Sequence, residues 1–244
     1  MNKTLVLDTS SNEMNIAYIF NELSAVCLST NSNLTLSSNS DLSSVELKLD
    51  DNYKGFMLSE LEDKIADAIA IGYKYQYFKN NLKIAGVSSD EREILLASLI
   101  ACDLIDDKKY VLAKIKSTTV YSISGLFNFR LKNLKAKWAE ILSFMPTYFM
   151  PGQLKEFLTF LYEDFSQARV FIYGNNLYDK KFNKLNKSFL MQSNTKYDLI
   201  KDVILSRSKN IEVLSPISKI EEDFLNEYFP STTKYNITLH GLKK

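Results

Sequence analysis

The chain of 244 residues is expected to adopt an α/β (α+β) fold, with a mostly helical middle and a small mixed β-sheet built from N- and C-terminal βα units. Three observations predict this. Apolar residues recur three and four positions apart through the centre of the chain, the spacing of helices that bury one face. Short β-like runs flank helical patterns at both ends, at residues 3–7 and 45–49 and again at 169–173, 211–214 and 235–239. Hydrophobic residues make up 45% of the sequence, enough for a core in a chain of this length. The expected organisation is a single domain with an N-terminal βαβ lobe (1–50), a helical middle (56–165) and a C-terminal α/β lobe (168–244).

Each element has a local reason. After the strand at 3–7, Ser10 and Glu13 have capping-box spacing, in which each side chain satisfies a free amide at a helix start. The helix that follows turns Ile16, Ile19, Phe20, Leu23 and Cys27 inward. The tract STNSNLTLSSNSDLSS (29–44) reads as a loop, because short polar side chains compete for backbone hydrogen bonds; it leaves room for one short strand at 34–36. Val45, Leu47 and Leu49 alternate as a half-buried strand does. Leu58, Leu61, Ile65, Ala68, Ile69 and Tyr73 open a long helix, weakened at Gly72 and ended near Gly86. Ser88 and Glu91 form a second capping box ahead of a buried stripe through Ile94, Leu95, Leu99 and Cys102. Asp103, Asp106, Asp107, Lys108 and Lys109 read as a polar turn, or as the start of another short helix reaching Ile115.

Ile123, Phe127, Leu131, Leu134, Trp138, Ile141 and Met145 then share one helical face. Pro146 and Pro151-Gly152 interrupt the pattern, since proline lacks the amide a helix interior needs. Leu154, Phe157, Leu158, Leu161 and Phe165 resume it. So short a connection predicts an antiparallel helical hairpin with its aromatic and leucine faces packed together. A strand at 169–173, a turn at Gly174-Asn175-Asn176 and a return at 177–179 follow. Phe182, Leu185 and Phe189 suggest a helix or an irregular segment, and residues 198–206 and 217–229 are helical by spacing.

Three runs carry a family resemblance: GLFNFRLK (125–132), QLKEFLTFLYEDFSQARVFIY (153–173) and DLIKDVILSRSKNIEVLSP (198–216). Together they resemble the YtxC-like family of sporulation-associated bacterial proteins. That family pairs a Gly-Phe-x-x-Phe-Arg-Leu-Lys helix with an aromatic second helix and a Gln-containing turn into a strand. The resemblance runs from Ile123 to about Ile237. It departs at Leu126, where the pattern has Phe, at Asn133, where an acidic residue is usual, and at the Tyr162-Glu163-Asp164-Phe165 ending. It implies an accessory role in spore formation and supplies no reaction.

Charge and composition narrow the function classes. Thirty basic residues against twenty-nine acidic ones leave a net charge of +1, so no global field draws the chain to nucleic acid or acidic lipid. Cys27 and Cys102 lack metal-type spacing and read as buried free thiols in a reducing compartment. A cleaved leader and a membrane helix are not expected, and the chain reads as cytoplasmic. No G-x-x-x-x-G-K-[ST] or G-x-G-x-x-G run is present, which disfavours the common nucleotide folds. His240 is the one histidine and has no nucleophile elbow to serve. A zinc site is not expected, Glu221-Glu222-Asp223 reads as a solvated face, and no cofactor is expected.

Two groups of residues remain. Arg130 sits inside the family-like motif, and its planar five-donor group suits a carboxylate such as Glu156 or Glu163 across the hairpin, as a structural clamp or as a ligand anchor. Lys132, Lys135 and Lys137 accompany it beside Phe129 and Trp138. Lys180, Lys181, Lys184 and Lys187 recur at helical spacing around Phe182 and Phe189. Such Lys-rich faces offer nucleic-acid contacts, or are solvated faces whose aromatics belong to the core. The expectation is therefore a non-enzymatic binding or accessory factor with a protein partner. The alternatives are a nucleic-acid-binding module using those lysines, and a small enzyme in which Glu156 or Glu163 converges with Arg130.

Overall fold

Val6 lies fully buried in β1 (Asn2–Thr9), the strand about which the N-terminal half is laid out. In the computed structural model, residues 2–116, 118–192 and 197–235 are described. They divide into two units, one comprising the residues up to Leu82 with Asp103–Met145 and Phe189–Gln192, the other Lys83–Cys102, Pro146–Ser188 and the chain from Tyr197 onward. The α/β class holds, with a four-stranded mixed sheet in each unit.

In the first unit, α1 (Glu13–Ser29) follows β1 and buries Ile16, Ile19, Leu23 and Cys27, as its spacing predicts. The capping box at Ser10 does not form: residues 10–12 are a 3₁₀ turn, and the Ser10 hydroxyl donates instead to the Ser40 carbonyl at 2.8 Å. The polar tract is not a loop but a hairpin of β2 (Asn33–Ser38) and β3 (Leu42–Leu49), turned where the Asn39 side chain accepts from the Asp41 and Leu42 amides. β2 is an edge strand with almost every side chain in water, so it needs backbone pairing and no apolar pattern. β3 pairs antiparallel with β1, and β4 (Val120–Ser122) lies parallel on the other side of β1, giving the order β2-β3-β1-β4.

The helices behind this sheet contain two π-helical turns. α2 (Lys54–Asp67) runs through one at Ala68–Tyr73 into α3 (Lys74–Asn81). Gly72 lies in that turn because a Cβ there would sit 2.4 Å from Asn15 Oδ1. α4 (Ser89–Lys114) begins with the predicted Ser88–Glu91 box. It then continues straight through the polar stretch expected to be a turn or the start of a separate short helix, and Asp103 onward belongs to the first unit. After β4 come α5 (Ile123–Gly125), a second π turn at Leu126–Arg130, a break at Leu131 (φ −108, ψ 28) and α6 (Lys132–Ser143).

In the second unit, α7 (Gln153–Tyr162) leads to β5 (Ser166–Tyr173) and β6 (Asn176–Asp179), a hairpin as predicted. α8 (Asp198–Ser206), β7 (Ser208–Val213), α9 (Lys219–Tyr228) and β8 (Thr233–Lys234) complete a sheet of order β6-β5-β7-β8. The final strand expected at 235–239 lies, apart from Tyr235, outside the described residues, as does His240. α6 and α7, expected as one packed hairpin, belong to different units, and each buries its aromatic face in its own. Trp138 meets Tyr77, Phe78 and Phe127, and Tyr162 meets Phe165, Tyr228 and Phe229.

Asp202, fully buried on α8, ties the segment before the helix to it. It accepts from the Lys187 and Ser188 main-chain amides at 2.7 and 2.6 Å and from the Asn186 side-chain amide at 2.9 Å. Burial pushes its carboxyl up to about 7, against the pull of the donated amides. The folded state therefore holds this proton more tightly than the unfolded chain does. The stabilisation is complete below about pH 4 and is lost as pH rises through about 7. Asp202→Asn keeps an accepting oxygen for the two main-chain amides and cannot ionise; its new NH2 group meets that of Asn186, whose Oδ1 is held by the Leu177 amide, a cost that does not change with pH. Urea denaturation between about pH 4 and 8 should show the wild type losing stability relative to the variant, by on the order of a few kcal/mol. Parallel pH dependence in the two proteins would refute this.

Candidate functional site: a cation-rimmed cavity beyond β4

The C-terminal end of β4 opens on a cavity of about 390 Å³, within the size range of small-molecule sites. Its wall is apolar, formed by Ile65, Ile115, Val120, Ile123, Leu126 and Phe129, and its polar groups are Thr118, Tyr121, Ser122, Lys116 and Arg130. Local structure explains how these arrive together. β4 needs only three residues to pair with β1, so the chain turns at once into α5, where the Ser122 hydroxyl caps the Gly125 amide at 3.1 Å. Gly125 permits that approach, since a Cβ there would lie 2.8 Å from Ser122 Oγ. The π turn then directs Phe129, 79% exposed, and Arg130 to the surface. The Tyr121 hydroxyl donates to Glu62 at 2.8 Å, which fixes the ring at the cavity wall.

Both cations at the cavity are exposed, neither forms an ion pair among the described residues, and no carboxylate belongs to the lining. The arrangement has positive charge and hydroxyls beside an apolar surface, and so can hold a ligand that is anionic at one end and apolar at the other.

Beside it, the same unit buries a network of charges. Asp107 accepts from Lys74 Nζ at 2.8 Å, from Trp138 Nε1 at 2.9 Å and from Lys137 Nζ at 2.9 Å. The Lys74 and Asp107 side chains are both wholly buried, and Asp103 lies 3.7 Å from Lys74 and 3.6 Å from Lys137. Partial burial pulls the Lys137 ammonium down, but its bond to Asp107 and the field of both aspartates outweigh this and hold it above its ordinary value. At the next position of α4, Lys108 reaches buried Asp67 at 2.8 Å, and the Tyr18 hydroxyl donates to the same carboxylate at 3.1 Å. On β1, buried Asp8 accepts from the Tyr73 hydroxyl at 2.6 Å and from Asn15 at 3.2 Å; burial pushes its carboxyl up against both bonds.

The sequence-derived candidates are distributed unevenly. Arg130 lines the cavity. Glu156 and Glu163 are exposed on or just after α7, in the second unit, so the buried carboxylate that a clamp calls for is not supplied by either. Lys132 is exposed, and Lys135 sits over the Phe127 ring at 4.1 Å and donates to Asn128. Lys137 is taken up by Asp107, and Trp138 is core. Lys180, Lys181, Lys184 and Lys187 do not form a helical stripe: residues 180–187 are a turn and an extended segment that folds back on β6, with Lys184 bridged to Tyr178. Asp179 causes this by accepting from the Lys181 and Asn183 amides. Glu221 closes a capping box with Ser218, and Glu222 pairs with Lys234. Among the described residues no group of three His, Cys, Asp or Glu side chains is placed to hold a metal ion, and no helix is long and apolar enough to cross a membrane. Lys116, Thr118 and Ser122 escaped sequence reasoning; the Ser122–Gly125 cap spacing was the one available signal.

No family model, curated protein or solved structure matches the chain.

Lys74→Met removes one partner of a buried pair and leaves Asp107 short of a charge, so it should cost about 3–5 kcal/mol in urea denaturation. A loss under about 1 kcal/mol would mean the charges are solvated.

Proposed function

We propose that the protein is a non-enzymatic binding or accessory factor that holds a small, partly apolar anion in the cavity beyond β4, with Arg130 and Lys116 as its anchors. The observation that carries the reading is two cations, without an ion pair among the described residues, at an apolar cavity whose lining includes no carboxylate. Such a lining offers charge and surface for holding a ligand, and the Tyr121 hydroxyl on it is spent on Glu62, which favours binding over catalysis. A guanidinium that already had a carboxylate partner would have little to offer an incoming anion. The accessory role in spore formation is part of the same proposal. It rests on the YtxC-like resemblance, whose 125–132 motif contributes Gly125, Leu126, Phe129 and Arg130 to the lining. A cytoplasmic location also belongs to it, supported by the buried free thiol of Cys27, a form that persists where the medium is reducing.

The fluorescent probe 8-anilinonaphthalene-1-sulfonate has the required chemistry, an aromatic body with one fixed negative charge. The wild type should bind it saturably. Arg130→Ala should weaken binding by about ten- to a hundredfold, the worth of one charge-assisted hydrogen bond, while leaving urea stability within about 0.5 kcal/mol, as befits an exposed side chain. A variant that binds the probe unchanged would remove Arg130 as an anchor. One that is destabilised by about 2 kcal/mol or more would restore the structural clamp.

A further inference from the structure

The second sheet has a side that its helices leave open. Along β5, Val170 and Ile172 are buried while Arg169, Phe171 and Tyr173 alternate with them toward the other face. Register places Tyr178 opposite Phe171, so the two aromatic side chains share that open side. Over them lies Phe182, its ring stacked on Phe171 with centroids 5.4 Å apart and planes 13° from parallel. Phe182 nevertheless remains 67% exposed and Tyr173 57% exposed.

Phe182 is held there by a built loop. Its φ is 61°, a left-handed conformation that a bulky L-residue adopts only when its surroundings impose it. Asp179 imposes it: its carboxylate accepts from the Lys181 and Asn183 amides at 2.7 and 2.9 Å, its carbonyl accepts from the Phe182 amide at 2.9 Å, and its own amide donates to the Asn183 carbonyl at 3.0 Å. The same loop carries Lys180, Lys181 and Lys184, all exposed and none in an ion pair among the described residues. Of the acidic groups nearby, Asp179 is held by the loop amides and its charge is felt by Lys181, while Glu212 pairs with Arg169 at 2.9 Å.

From this we infer that the open face of the second sheet binds single-stranded nucleic acid, with bases stacking on Phe182 and Tyr173 and phosphates running along Lys180, Lys181 and Lys184. The charge decides between occupants. An apolar protein partner would gain from the rings but would have to cover three ammonium groups without counter-charges. A phosphodiester strand whose bases are free to splay uses both features. The site is independent of the cavity beyond β4 and stands or falls separately.

The test is fluorescence anisotropy of the full chain with labelled oligo-dT, oligo-U and a duplex, each about ten nucleotides long. Both single strands should bind more tightly than the duplex. Affinity should fall about twentyfold between about 50 and 200 mM salt, the response for three phosphate contacts at about −0.7 each. Phe182→Ala should weaken binding about tenfold or more. Lys181→Glu with Lys184→Glu, which leaves the stacked rings untouched, should weaken it and reduce the salt response; circular dichroism checks that both variants keep their fold. A tighter affinity for oligo-U than for oligo-dT, or the reverse, identifies which strand the site prefers, with the proposal intact. Three results would overturn it: no binding of either strand at about 100 µM protein in low salt, duplex binding as tight as single-strand binding, or binding unmoved by both variants. Self-association that depends on Phe182, with no oligonucleotide bound, would overturn it in favour of a second copy of the chain.

Discussion

Three helices of the first unit converge on one carboxylate. Taking an aspartate and a lysine out of water costs on the order of several kcal/mol per ion, and the cost is met only when geometry is good and the remaining lone pairs are satisfied. Asp107 meets that condition with donors from α3 (Lys74) and from α6 (Lys137 and the Trp138 indole). Because the indole N–H is one of the donors, α6 cannot slide or rotate without stranding a buried charge. Trp138 then seats Phe127 at 5.8 Å, and Phe127 in turn meets Tyr73 at 4.5 Å, whose hydroxyl is bonded to Asp8 on β1. The π turn between α5 and α6 is thus fixed from its inner side, which leaves Phe129 and Arg130 on its outer side. The cavity's cation owes its position to a charge network that it never touches.

Periodicity made part of this legible. Of the stripe expected on one helix, Ile123, Leu131, Leu134 and Trp138 are buried and Phe127, Ile141 and Met145 half-buried, although a π turn and a break at Leu131 divide the helix. Periodicity could not reveal the charges beneath it. Asp103, Asp107 and Lys108 look like a turn because isolated carboxylates and ammonium groups belong in water, and each loses that preference only in the presence of a partner from a distant part of the chain. The i, i+4 relation of Asp103 and Asp107 was the faint signal that both face one side of a continuing helix. The π turns were hidden for a related reason: an extra residue in a helical turn changes no side-chain type, only the face on which the following residues emerge. Gly72 marks one of the two turns, its hydrogen standing where a methyl group would strike Asn15.

Polar segments misled in opposite directions. Residues 29–44 have the composition of a loop and form a hairpin, because an edge strand is held by main-chain bonds to its neighbour and needs no buried side chains. Residues 180–187 have the lysine spacing of a helix and form a turn, because Asp179 captures the amides that would have begun one. In both cases local hydrogen bonding overrode a pattern read from side-chain character. The clamp between Arg130 and the α7 glutamates failed to gain support on another ground: proximity was inferred from a hairpin whose two arms belong to different units.

The second sheet shows why residue class, and not hydrophobicity alone, carries functional information. A half-solvated sheet ordinarily alternates apolar residues inward with polar ones outward. β5 alternates differently: its branched aliphatic residues, Val170 and Ile172, face the helices, and its aromatic ones, Phe171 and Tyr173, face away. The inward positions follow from packing, since β-branched side chains suit a pleated surface under helices. The outward ones do not follow from it. Leaving rings in water forgoes burial worth roughly 1.5–3 kcal/mol for a residue the size of Phe, and holding Phe182 at positive φ adds backbone strain on the order of 1–2 kcal/mol. The ring stack on Phe171 offsets part of this, about 0.5–1.5 kcal/mol, and the Asp179 bonds more, yet both hold an aromatic face open beside lysines that form no ion pair among the described residues. In this loop and strand, rings and positive charge coincide.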